Sequence, residues 1–394
     1  MKRLALLLTT GLMLVACIYP IDDTEELTGY EGVAIEGTIT VGTVSSFAMY
    51  PLQALSYDES EGKGTVSASF TVEDDMGHSW TGTPDRKGWS SDLQEAGTSF
   101  VDLTDADPSR KYRLRARNLE TNESYVSEWV EVVPACTIDS VNFIKNIDED
   151  ELLINLNVHG NGGAGCYRLM TREDWEYKAD YSAALVYIPN DKKSRDPGVM
   201  VNSGGQGPLY YCWKKAIDTK LNIFDTRTLT SDEVTRPLMK IPRTDERLGY
   251  VYSITAGVMS ISEEHYAYLE HLATVSDYNG SLFSPNPSEM HGNIRNESDS
   301  THFVAGFIGA GTLVQQRIFY ENEKEYYYIP GKRNVSELES VQAQDWQYAY
   351  WYESKMPVYY TMTEGYLWTE KRCVDCRYKG GNKDKPDFWI NNHE

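Results

Sequence analysis

The chain has 394 residues, 41% hydrophobic and 24% charged, the balance of a globular protein and not of a disordered or fibrous one. Its 37 basic and 59 acidic residues leave a net charge of −22, which argues against nucleic acid as a partner, because neutralising phosphates needs basic surface. Beyond residue 16 no run is apolar for the ~18 residues that a membrane helix needs.

Lys2 and Arg3 precede an apolar run from Leu4 to Val15, long enough for a signal-peptide core and too short to span a bilayer. The run closes on Leu14-Val15-Ala16-Cys17, which resembles a bacterial lipobox, with a leucine three residues before the cysteine and a small residue just before it. Residues 1–16 are therefore expected to be a signal peptide, cut off so that the thiol of Cys17 takes lipid and anchors the chain in the outer-membrane bilayer. Asp22, Asp23, Glu25 and Glu26 follow directly, within a tether of residues 17–30. That acidic cluster resembles the export signal by which Bacteroidota lipoproteins reach the outer face of the outer membrane.

From residue 31 the pattern turns to period two. Val33, Ile35, Ile39 and Val41 alternate with polar or small residues, as do Val66, Ala68, Phe70 and Val72. Asp74 to Gly77 reads as a turn into a hairpin at Ser79 to Thr81. Tyr112, Leu114 and Ala116 alternate with Arg113, Arg115 and Arg117; Asn118 to Glu123 turns the chain, and Val126, Val130 and Val132 continue to Pro134. Strands this short, with turns this frequent, predict an immunoglobulin-like β-sandwich over 31–134. A larger β-rich domain is expected over 135–330. Its acidic turn at Asp148 to Glu151 leads into alternating Leu152, Ile154, Leu156 and Val158, and strands are expected again at Phe303 to Ile308 and Leu313 to Tyr320. One helix, at about 262–277, is inserted. Ser260 to Glu263 matches a capping box, Tyr266, Leu269, Leu272 and Val275 fall along one face, and Asn279-Gly280 closes it. Asn190 to Pro208 is a long polar loop, and residues 331–394 form an aromatic-rich extension ending in a short tail. The fold class is mainly β.

Ser281-Leu282-Phe283-Ser284-Pro285-Asn286-Pro287, followed by Gly292-Asn293-Ile294, resembles the signature of a Bacteroidota lipoprotein family, domain of unknown function 4249. Ile35 to Thr40, Cys212-Trp213, Cys373-Val374-Asp375-Cys376 and the tail Gly380 to Trp389 agree in order. The sequence departs from the family at Gly165-Cys166-Tyr167 and in a lengthened 330–370 region. The resemblance implies an outer-membrane lipoprotein, often encoded beside a TonB-dependent receptor, and implies no activity.

Five cysteines remain besides Cys17, and an exported chain meets oxidising conditions, so disulfides are expected. The tail after Tyr366 is short and rich in Gly and Lys and has most need of a staple, so Cys212 is expected to bond either Cys373 or Cys376. The spacing of Cys373 and Cys376 alone would suit a redox pair, but no thioredoxin-like βαβ pattern surrounds them, and no second ligand pair at metal spacing suggests zinc. The histidines are scattered and read as solvated or capping groups; His265 and His271 lie six apart, off-face for a metal pair. Asp299-Ser300 near His302 holds triad residue types without a nucleophile elbow, and the glycines of 203–207 lack a Walker lysine. No catalytic residue, metal or cofactor is assigned. Arg113, Arg115 and Arg117, with Arg110 and Lys111, form a basic stripe, either a solvated strand face or a patch for an acidic partner.

Trp346, Tyr350, Trp351, Tyr352, Tyr359 and Tyr360 crowd one region with few aliphatics. Large amphipathic rings suit an interface, though sheet packing and stacking on glycans remain open. The sequence thus suggests a surface-facing lipoprotein that binds and does not catalyse, an accessory subunit of a TonB-dependent transporter. A free-standing adhesin for glycan or protein is the alternative, and an unrecognised hydrolase a more distant one; the ligand is not legible.

Overall fold

The computed structural model describes residues 32–52, 65–84, 99–161, 165–189, 198–202, 207, 209–218, 220–229, 231, 233–277, 292–299, 302–325, 338–341 and 346–390. Cys17, the acidic tether, the 281–287 signature, the Asn279-Gly280 helix end and most of the 190–208 loop lie outside them.

The protein is mainly β, built of several sheets with no barrel among the described residues. A twelve-stranded sheet forms its backbone. Along its path run Tyr211–Ile217, Cys166–Lys178, Val251–Ile261, Ala310–Glu321, Val130–Val133, Lys111–Asn118, Ala68–Asp74 and Ser79–Thr81. Two smaller sheets pack on it. One contains Val304–Ala305, Gly32–Gly37, Val44–Leu52 and Ser99–Asp102. Its Ile35, Phe47 and Met49 meet Phe70, Val72, Tyr112 and Leu114 of the long sheet in a first core, all 2% exposed or less. The other contains Thr137–Asn146, Glu151–His159 and Glu233–Pro242, and buries Leu152, Ile154, Leu156 and Val158 against Tyr167, Leu169, Tyr252, Ile254 and Tyr320. Each is a sandwich in which strict alternation sends one face inward. In the first, the Tyr112 hydroxyl donates to the carbonyl of Asp107 at 2.7 Å, the corner that immunoglobulin-like sandwiches use.

The first sandwich is not closed by residues 31–134 alone. Val304 and Ala305 pair in parallel with Val33 and Ala34, Ile294–Asn296 pairs with Ser124–Ser127, and Ala310–Thr312 pairs with Ile39–Val41. Local pattern cannot announce such long-range partners, two of them parallel, since they join strands far apart in sequence. The strand expected over Phe303 to Ile308 shrinks accordingly to Val304–Ala305, while that over Leu313 to Tyr320 lengthens to Ala310–Glu321.

The inserted helix runs Glu263–Asp277. Its cap is Ser262, whose hydroxyl accepts from His265 N at 3.1 Å, and not Ser260 as the capping box suggested; Ser260 is a fully buried strand residue. Tyr266 and Leu269 are buried as expected, but Leu272 is 38% exposed. His265 is no solvated group. It is 2% exposed and stacks on Phe307 at 5.3 Å, and burial, helped by the charge of Arg168, pushes its pKa down to about 3, so the ring is neutral.

The basic stripe is spent within the fold. Glu73 takes Arg113 Nη2 at 2.7 Å and Arg115 Nε at 3.0 Å, Arg115 also reaches Glu297 at 2.8 Å, and Arg117 donates to Asn122 at 3.1 Å. Glu297 thereby fastens residues 294–299 to the first sandwich.

Gly306 tests how tightly that closure fits. Its φ is +126° and an added Cβ would fall 2.2 Å from the carbonyl oxygen of Ile35. Gly306→Ala should destabilise the protein by roughly 1–3 kcal/mol or more, through strain at the parallel join. Gly42→Ala, also at positive φ but with open space around it, should cost only the conformational part, about 1–2 kcal/mol. Urea unfolding of both variants checks this; equal losses would mean that the close approach is unimportant.

Candidate functional site

Two places hold the residues that the sequence singles out: an aromatic unit near the C-terminus and the tail that follows it. In the aromatic unit, Glu339–Val341, Gly365–Glu370 and Lys355–Thr361 form a small sheet covered by the helix Trp346–Tyr352. Residues three and four apart share a helix face, so Tyr348, Trp351 and Tyr352 turn inward together while Tyr350 points away. Trp368 is fully buried at the centre, stacked on Tyr348 at 5.8 Å and tilted against Trp351 at 6.5 Å. Tyr352 meets the buried Tyr187 edge-on at 5.3 Å.

Trp351 and Tyr352, expected at an interface, are therefore half-buried members of a core cluster. Tyr350, Tyr359 and Tyr360 do face outward, at 71%, 40% and 56% exposure, with Met362 at 97% beside them in sequence. A register shift between Pro357 and Tyr359 interrupts the alternation at Val358; beyond it Tyr359 and Tyr360 pair regularly with Leu367 and Tyr366 and lie on opposite faces of the small sheet, both exposed. Trp346 begins the helix.

The second place is the tail. Cys212 is bonded to Cys376, with Cα atoms 5.7 Å apart, which decides between the two candidates; Cys373 is a free thiol, 3% exposed. Cys136 and Cys166 are also buried free thiols, and burial pushes both up to about 11, so they stay protonated. Beyond the disulfide, Trp213 and Asn382 exchange two backbone hydrogen bonds of 2.8 Å, and Lys383 Nζ donates to the carbonyl of Tyr211. Gly381 allows this approach: a Cβ there would meet Cys212 Cβ at 2.5 Å. Asp375 caps the turn Cys376–Lys379 and ion-pairs with Arg377 at 2.7 Å. Burial alone would raise its pKa; the hydrogen bonds and charge of Arg377, with Lys383, outweigh that and hold the carboxyl below its usual range.

So fastened, the tail walls a cleft of about 830 Å³ against the outer face of the long sheet. Sheet register explains the composition of its floor. Lys215, Asp174, Ser253 and Phe319 lie in one row, and Arg172, Thr255 and Arg317 in the next. These positions alternate with the ones that fill the second core, so the face opposite that core carries polar and charged groups. Phe388 of the tail lies 3.1 Å from the Arg317 guanidinium, a cation–π contact, and Trp389 meets Phe319 at 5.8 Å. Six cations line the cleft, Arg172, Lys214, Lys215, Arg317, Lys379 and Lys385, against the acids Asp174, Asp384 and Asp387. Lys214 pairs with Glu246 at 2.7 Å and Lys379 with Asp180 at 2.9 Å, while Lys215 is exposed. No sequence signal pointed here, because the lining residues come from four separate stretches of chain.

His302 is bonded to Glu123, Nδ1 to Oε1 at 2.8 Å, and stands 3.8 Å from Asp299, which ties it to the first sandwich; Ser300 lies outside the described residues. Among the described residues no group of three or more His, Cys, Asp or Glu could hold a metal, and no helix is long and apolar enough to cross a membrane.

The fold and its tail-walled cleft define a multi-sheet β-sandwich protein with a stapled C-terminus. Residues 20–317 match the family described as Domain of unknown function (DUF4249), and the chain belongs to that family. The stapled tail, where the sequence also resembles the family, lies past the matched stretch. No curated protein matches the chain. Among solved structures it is similar to trypsin-activated alpha-2-macroglobulin from Escherichia coli, at 10% identity and a TM-score of 0.17, over 60% of this chain and 15% of that one. It is also similar to the B domain of a biofilm associated protein, at 7% identity and a TM-score of 0.15, over 75% and 87% of the two chains. These likenesses carry no functional argument.

Two outcomes follow from this geometry. Non-reducing peptide mapping should find Cys212 linked to Cys376, with Cys373 alkylated only after unfolding; a Cys212–Cys373 peptide would count against the structure. Trp368→Ala should cost about 3–5 kcal/mol and Trp351→Ala somewhat less, whereas Tyr360→Ala should stay within about 0.5 kcal/mol of the parent in chemical denaturation.

Proposed function

We propose that this protein is a lipid-anchored outer-membrane protein of the Bacteroidota, facing the cell exterior, that serves as a binding or accessory subunit of a TonB-dependent transporter. The observation that carries the reading is Leu14-Val15-Ala16-Cys17 placed directly ahead of Asp22, Asp23, Glu25 and Glu26, an anchor followed by an export tether. Exposed Tyr350, Tyr359 and Tyr360 supply amphipathic rings of the kind enriched at interface hot spots, on the unit where Trp368 holds the scaffold rigid. An anchored binding subunit needs a stable body and an accessible face, and both are provided by side chains that leave the cores intact.

Cys17→Ala should release the protein from the membrane fraction or leave it unprocessed. Detergent-solubilised outer membrane should yield a receptor with the tagged parent. A Tyr350→Ala, Tyr359→Ala, Tyr360→Ala variant should lose that receptor at unchanged melting temperature, each hot spot contributing roughly 2 kcal/mol. An anchored protein that brings down no receptor would instead favour the free-standing adhesin.

A further inference from the structure

The cleft under the tail combines three properties that need not occur together. The chain carries a net charge of −22, yet cations outnumber acids among the residues lining this one concavity. Lys215 extends into solvent at its edge, and Arg317 is held in place by Thr255 Oγ1 at 2.7 Å and by the Phe388 ring. Second, Trp213, Trp175 and Phe388 line the cleft and give it an aromatic wall beside the cations. Third, the volume of about 830 Å³ falls in the range of sites for small organic ligands and far exceeds a bare ion.

We propose that the cleft between the stapled tail and the long sheet binds a small acidic saccharide, carboxylated or sulfated, one or two rings in size. Its anionic groups meet Lys215 and Arg317, and its ring rests on the aromatic wall. Cationic rim and aromatic surface match the two kinds of face on such a molecule, where an inorganic anion would use only the first. The Cys212–Cys376 bond and the Trp213–Asn382 bridge hold the tail at the distance that defines the cleft. This assignment stands on the cleft alone and does not require a transporter.

The test is a titration of the full-length, detergent-solubilised protein, followed by tryptophan fluorescence and calorimetry. The probes are digalacturonate, N-acetylglucosamine 6-sulfate, glucose, sodium phosphate and a tetra-aspartate peptide. Saturable binding of digalacturonate or of the sulfated sugar is expected, weakened by added salt, with none for glucose. Lys215→Glu should weaken it by roughly tenfold or more. Trp213→Leu keeps apolar bulk and removes the aromatic ring, so it should weaken binding several-fold. Lys385→Glu, on the exposed tail, gives a second reading should either variant fold poorly. Glucose binding as tightly as digalacturonate would overturn the proposal, and so would phosphate or the peptide doing so. Acidic-sugar binding unchanged in all three variants would place the site elsewhere. Loss of receptor co-purification would leave these titrations untouched, so the two readings fail separately.

Discussion

The strand Ala310–Glu321 is the constraint on which the rest of the structure depends. Its first residues pair in parallel with Ile39–Val41 and with Val132 and Val133, while the longer part pairs antiparallel with Val251–Met259. Two sandwiches, each with its own hydrophobic core, thereby share one continuous sheet. Backbone hydrogen bonds cannot be left unmade in such an interior, so the strand fixes both halves at once. Ala310 and Gly311 sit at the join, and Gly311 is crowded: a Cβ would come 2.4 Å from the carbonyl of Ser260. Small residues are required there because three strands converge.

The same sheet explains why the protein needs its C-terminal tail. Alternation along Cys166–Lys178 sends Tyr167 and Leu169 into the second core and Arg172, Asp174 and Glu176 to the opposite face. Asp174 and Glu176 are nonetheless 2% and 0% exposed, because the tail covers that face with Phe388 and Trp389. Charged groups under a cover lose solvation unless paired, and Arg172 supplies a partner to Asp174 at 2.8 Å. Covering is incomplete, and the remainder is the cleft. A disulfide suits this place because the tail brings few apolar residues of its own to hold it down.

The aromatic unit shows how composition and position divide the information. Abundant rings near residues 346–368 were legible at once, and so was their fitness either to pack or to dock. The helix phase then separates Tyr348, Trp351 and Tyr352 from Tyr350, and in the adjoining strand Val358 is buried while Tyr359 and Tyr360 are exposed. Neither boundary is visible in composition, because Tyr and Trp suit a packed position and an exposed one alike.

The sequence by itself determined the β class, the strands with clean alternation, the inserted helix and the need for a staple on the tail, because periods of 2.0 and 3.6 residues and local turn chemistry are written in adjacent residues. Leu14-Val15-Ala16-Cys17 and the acids Asp22, Asp23, Glu25 and Glu26, on which the proposed anchor and tether rest, are likewise read from adjacent residues. Tertiary structure alone decided that Ile294–Asn296, Val304–Ala305 and the start of Ala310–Glu321 complete the first sandwich, that Cys376 and not Cys373 meets Cys212, and that Ser262 caps the helix in place of Ser260. It alone placed Arg317, Lys215 and Trp213 around one cleft with the tail. These depend on which distant segments share a sheet edge, a choice made by the total burial and hydrogen bonding of the whole chain. No window of neighbouring residues contains that sum.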